Sequence, residues 1–226
     1  MSKKLSLSQK INVLRASVMG ANDGILSVAG IVIGVAGATN NNFSIFISGI
    51  AGMLAGTVSM AMGEYVSVST QKDSQEVATA NSKYNLKHNY DKEYNYVYQK
   101  YFKTGISSSL ALKATDEMMS ANPLDTIVRE KYGFDPNVYT DPYAAAIASM
   151  ISFPIGSLLP LLAITLFPAE FKVIATSISV IIALAITGFS AATLGNSNRT
   201  KSVIRNIVSG ILTMLVTYFI GTLFAH

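Results

Sequence analysis

The chain has no cysteine, only two histidines and few charges, with Asp, Glu, Lys and Arg making up 13% of its 226 residues. The missing cysteines exclude thiolate metal sites. A membrane di-iron enzyme needs Glu-x2-His pairs on facing helices, and His88 and the terminal His226 do not supply them. A soluble domain carries about a quarter charged residues, so the low charge argues against a water-soluble protein.

What the chain does have is apolar sequence: half its residues are hydrophobic. Five runs stand out, at about 16–39, 43–67, 143–167, 173–194 and 203–225. Each has about 20 residues or more, enough to cross a hydrocarbon core of about 30 Å. The first run is longer than a signal-peptide core of about 7–15 residues and contains Asp23, so it reads as a span. The stretch from about 69 to 141 is polar and rich in tyrosine, with nine acidic and nine basic side chains between Thr70 and Thr140. The expected fold is an all-α membrane protein: five transmembrane helices with a cytoplasmic helical domain inserted between the second and third. Its domains are expected as 1–68 (first two spans), 69–141 (inserted domain) and 142–226 (last three spans).

The net charge of +4 comes mostly from the flanks of the spans. Lys3, Lys4, Lys10 and Arg15 precede the first span, and Arg199, Lys201 and Arg205 lie between the fourth and fifth. The connection 39–42 has no charge. The positive-inside rule places the N-terminus and 69–141 in the cytoplasm and the C-terminus outside. The basic residues therefore speak for orientation in a membrane and not for nucleic acid.

Gly20-x3-Gly24, Gly30-x3-Gly34 and Gly52-x3-Gly56 let helix backbones approach closely. They admit two readings: ordinary tight packing, or a thin-walled pathway or dimer seam. Pro154 and Pro160 predict a kink in the third span. In the insert, Tyr94, Val97, Tyr98 and Tyr101 share one helical face. That helix ends at Gly105. Further helices are expected over 107–120 and 124–132, the last stopped by Gly133. With no strong breaker from Ser67 to about Tyr84, the second span is expected to continue as one long helix.

Two carboxylates lie inside apolar runs: Asp23 in the first and Glu64 in the second. A carboxylate within a span costs several kcal/mol and usually lines a site or pathway. Asp23 is about 10 Å in from the start of its helix, and Met60 about 10 Å inside the end of the next. Glu64 follows Met60 by four residues on the same face and lies nearer the cytoplasm. A carboxylate with a thioether suits iron(II) and other borderline transition metals.

These residues carry a resemblance. Ser17-Val18-Met19-Gly20-Ala21-Asn22-Asp23-Gly24 with Ser27, then Ser59-Met60-Ala61-Met62-Gly63-Glu64-Tyr65-Val66-Ser67, and later Pro142, Ser152-Phe153 and Pro160-Leu161-Leu162, resemble the vacuolar iron transporter family over nearly the whole chain. The resemblance implies a homodimer with a metal pathway between subunits and proton-coupled export of iron(II) or manganese(II) from the cytoplasm. It implies metal contacts at Asp23 and Met60, with Glu64 in the same motif. The insert departs from the pattern. Family glutamates fall near Ser82, Asn85, Glu93, Tyr96 and Asn122, and only Glu93 survives, with Asp91 close by. The family's methionine pair is present as Met118-Met119, after Glu117. The candidate metal residues are therefore Asp23, Met60, Glu64, Asp91, Glu93, Glu117, Met118 and Met119. The insert is expected to bind one ion weakly or to serve dimerisation alone.

The sequence thus points to a non-enzymatic transporter in the cell membrane of a prokaryote. Its expected partners are lipid, divalent metal ions, protons and a second copy of itself, and it carries no permanent cofactor. The competing reading is a non-transporting membrane adaptor with a helical cytoplasmic domain.

Overall fold

The computed structural model describes residues 7–225. Lys3, Lys4 and the terminal His226 lie outside them. The described residues form eight α-helices and no strand: α1 (Leu7–Ala38), α2 (Asn42–His88), α3 (Tyr90–Phe102), α4 (Ser108–Ala121), α5 (Pro123–Tyr132), α6 (Pro142–Leu166), α7 (Lys172–Leu194) and α8 (Arg199–Leu223). Five of them, α1, α2, α6, α7 and α8, are long and apolar enough to cross a membrane. As the lack of breakers suggests, α2 is one unbroken helix of 47 residues. The chain divides into two compact units, one from Leu7–Ser67 with 142–225, the other Val68–Asp141.

In the first unit α1 is the hub. Its face of Ile25, Val28, Ala29, Val32 and Ile33 is buried against Leu161 and Ile164 of α6, Val180 and Leu184 of α7, and Met214 of α8. Its glycines make this possible. A Cβ at Gly24 would sit 2.2 Å from the Phe153 carbonyl, and one at Gly156 would sit 2.1 Å from the Ala21 carbonyl. At the other end of α1, a Cβ at Gly221 of α8 would fall 1.9 Å from the Gly34 carbonyl. The two glycine pairs of α1 are thus occupied within the chain, one by α6 and the other by α8. Side-chain hydrogen bonds join the same helices, as small polar residues do between spans. Ser149 and Ser157 hydroxyls donate to the carbonyls of Ala16 and Gly24, each at 3.3 Å. The Thr187 hydroxyl of α7 donates to Asn22 Oδ1 at 3.1 Å.

Gly52 and Gly56 of α2 lie against side chains, those of Ile31 and Phe153. Pro154 and Pro160 lie inside α6, whose helix runs unbroken through both. Lys172 at the start of α7 is buried, and its ammonium donates to Asn42 Oδ1 at 3.2 Å. This contact ties the α7 end to the start of α2.

In the second unit, Val97, Met119 and Ile127 form a small core, with Leu86, Tyr94 and Tyr101 packed around it. The expected α3 face is recovered, although Tyr98 lies at its margin, its hydroxyl 2.9 Å from Ser108 Oγ. The Ser107 hydroxyl caps α4, and Asn122 Oδ1 accepts from the Asp125 amide to cap α5. Pro123 therefore opens α5, where its missing N–H costs nothing. Gly133 ends α5 with φ +74°, a left-handed conformation that glycine adopts without strain.

Candidate functional site

Within the first unit, α1 and α2 line an open cleft of about 540 Å³, with Phe153 of α6 also in its wall. Asp23 and Met19 reach it from α1, and Met60 and Glu64 from α2. The glycines of α2 at 52, 56 and 63 also line it. Periodicity explains the convergence. Met60 and Glu64 are one turn apart on one face of α2, as are Met19 and Asp23 on α1.

The two carboxylates have different surroundings. Asp23 is half-buried, and its Oδ1 accepts from the Ser27 hydroxyl at 2.9 Å. Glu64 is only 6% exposed, and its Oε2 lies 2.9 Å from the Arg15 guanidinium. Arg15 also donates to Met19 Sδ at 3.0 Å and to Asn12 Oδ1 at 3.2 Å. In the sequence Arg15 reads only as an orienting charge and Met19 only as part of a motif. The signal available was spacing: Arg15, Met19 and Asp23 follow one another at four-residue steps.

The candidate residues of the second unit are dispersed. Glu93 is buried beside the core and paired with the Lys131 ammonium. Lys131 also stands over the Tyr96 ring at 5.0 Å. Met119 is buried in the core, whereas Met118 is 44% exposed. Asp91 and Glu117 are exposed. Asp116 accepts a short hydrogen bond from the Tyr94 hydroxyl, which with partial desolvation pushes that phenol up to about 12. Burial and the nearby Glu130 carboxylate raise Tyr101 to about 12 as well. Among the described residues, no three Asp, Glu or His side chains converge to hold a metal ion.

A model described as the VIT family matches residues 14–222. The chain belongs to the VIT family. It is 31% identical over 225 residues to vacuolar iron transporter homolog 2.1 of Arabidopsis thaliana, covering 97% of this chain and 87% of that one. It is 35% identical over 217 residues to vacuolar iron transporter homolog 2 of Oryza sativa subsp. japonica, covering 94% and 90%. A vacuolar iron transporter of Acanthamoeba castellanii is 32% identical over 212 residues, covering 93% and 78%. These relatives are named for transport and not for catalysis, in keeping with the reading of a non-enzyme. Membership of the VIT family and five apolar helices together make this an integral membrane protein.

Proposed function

We propose that the protein carries divalent transition metal ions, iron(II) or manganese(II), out of the cytoplasm through the cleft between α1 and α2. One observation carries the proposal: Asp23, a carboxylate inside a span and held by a serine hydroxyl, opens with Met60 into a single cleft. A partly dehydrated cation gains most from a carboxylate where the dielectric is low. The Met60 thioether adds a soft donor that favours transition metals over magnesium and calcium. The names of the relatives, all vacuolar iron transporters or their homologs, support the same cargo.

One chain supplies an incomplete shell, since among the described residues no three acidic or histidine side chains meet. A second copy facing the first across the cleft would double the set to two Asp23 and two Met60. Ala55, Ser59 and Gly63 on the cleft side of α2 are small and leave room for that copy. Protons entering as metal leaves would neutralise the vacated carboxylates, which is antiport. In this reading 68–141 lies in the cytoplasm, and its lysine-paired Glu93 leaves it at most a weak metal site.

Reconstitution in liposomes tests the proposal. Iron(II), manganese(II), cobalt(II), zinc(II) and calcium(II) are presented in turn, with and without a pH gradient. Flux of iron(II) or manganese(II) that quickens under the gradient supports it. Absence of flux for every ion would favour the adaptor reading, and flux insensitive to the gradient would mark a channel.

A further inference from the structure

The cleft holds two methionine–carboxylate pairs, not one. Met19 precedes Asp23 by four residues on α1, and Met60 precedes Glu64 by four on α2. The three-residue connection between α1 and α2 makes the helices antiparallel neighbours. Met60 therefore levels with Asp23, and Met19 with Glu64, the two levels about 6 Å apart along the helices. All four side chains line the cleft.

At the Met19–Glu64 level a positive charge is already in place. The Arg15 guanidinium donates to Glu64 Oε2 at 2.9 Å and to Met19 Sδ at 3.0 Å. These are one carboxylate oxygen and one thioether sulfur, the donor pair that suits a transition metal ion. The burial is unequal: Glu64 is 6% exposed, whereas the Arg15 side chain is 46% exposed. A buried carboxylate left without a cation beside it costs several kcal/mol. The arginine can swing into water on its flexible stem.

We infer that Met19 and Glu64 form a second cation post in the cleft, which Arg15 holds with a tethered charge until a divalent metal ion displaces it. A monovalent ion gains nothing over a guanidinium already seated there, while a doubly charged ion does. The post thereby screens out alkali cations before the Asp23–Met60 level is reached. Met19 gives it preference for soft ions.

This inference rests on the transport reading, and the two fail separately. Cobalt(II) binding is measured by calorimetry on the full-length protein in detergent, with flux measured in liposomes. Arg15→Gln is expected to tighten cobalt(II) binding about tenfold, the equivalent of about 1.4 kcal/mol, and adding Glu64→Gln should abolish the gain. Met19→Leu should weaken cobalt(II) binding several-fold and leave manganese(II) nearly unchanged. Unchanged or weaker binding in a folded Arg15→Gln would make the ion pair a clamp and overturn the post. If that variant aggregates, Met19→Leu decides: equal effects on both ions, or none, overturn it. Wild-type flux that Asp23→Asn abolishes, with neither prediction met, sinks the post and spares the transport reading. No wild-type flux sinks the transport reading itself.

Discussion

Asp23 and Glu64 solve the same problem in opposite ways. A carboxylate in a span needs compensation for the water it has lost. Glu64 has a guanidinium, whereas among the described residues Asp23 forms no ion pair and is met by the Ser27 hydroxyl alone. An acid stabilised by one neutral hydrogen bond retains most of its attraction for a passing cation. Asp23→Asn, which keeps the shape and removes the charge, is therefore expected to abolish metal flux while thermal unfolding in detergent stays near wild type. Wild-type flux in that variant would remove Asp23 from the pathway. Met60→Leu keeps volume and removes sulfur. It should slow iron(II) and cobalt(II) more than manganese(II), and a uniform effect across the three ions would reduce Met60 to packing.

At the level of helices, the glycines of α1, α6 and α8 decide how closely the backbones lie. A methyl at Gly156 would meet the Ala21 carbonyl at 2.1 Å, and nothing flexible there can give way. Gly156→Ala should lower stability by about 1–3 kcal/mol, the usual cost of overpacking, read as a reduced melting temperature in detergent. Gly63→Ala is the control, because its Cβ would meet nothing within 4 Å, and its melting temperature should hold or rise slightly. Helix α3 offers a second test. The neutral phenols of Tyr94 and Tyr101 are favoured in the folded unit, with both values raised from 10.0 to about 12. A raised pKa stabilises the fold below the unfolded value, and that contribution is lost as pH climbs through the folded one. Stability should therefore fall between about pH 10 and pH 12. Ultraviolet titration of the 11 tyrosines should show a late component near pH 12, absent from the Tyr94→Phe, Tyr101→Phe double variant.

The whole molecule combines an apolar unit with a charged one, and the two differ in what they offer a metal ion. In 68–141 the carboxylates are neutralised or dispersed: Lys131 sits on Glu93, Lys100 on Glu130, and Arg129 bridges Asp125 and Asp135. The full-length Asp91→Ala, Glu93→Ala double variant should consequently lose less transport than Asp23→Ala. Greater loss in the double variant would move the rate-limiting metal site into 68–141. Calorimetric titration of the Asp23→Asn protein with manganese(II) should then report no more than one or two weak sites per chain. The absence of cysteine also permits a clean test of the proposed orientation. Added outside intact cells, a membrane-impermeant thiol reagent should react with a single cysteine at Asn41 and not with one at Lys103, and the reverse pattern would overturn the orientation.

Local signals are enough to read the helices and most of their ends. Hydrophobic run length marks the spans, because the thickness of a bilayer sets it. The Ser107 cap, Pro123 at the first turn of α5 and the left-handed Gly133 are local as well, since each satisfies or terminates the helix it adjoins. Asp23, Met60 and Glu64 were legible as candidates from depth and a four-residue step. What spacing could not give was partnership. Whether a glycine pair serves a neighbour in the same chain or a seam with another depends on which helix lies across from it, and only the packed bundle puts α6 and α8 against α1. Arg15 likewise read as a flanking charge until the fold carried Glu64, 49 positions away, onto it. Met118 and Met119 stand together in sequence, yet a 100° step around the helix sends one to the core and the other to the surface. Which acid is free and which is already answered is a long-range fact, decided by tertiary contacts because electrostatic partners are chosen by distance in space.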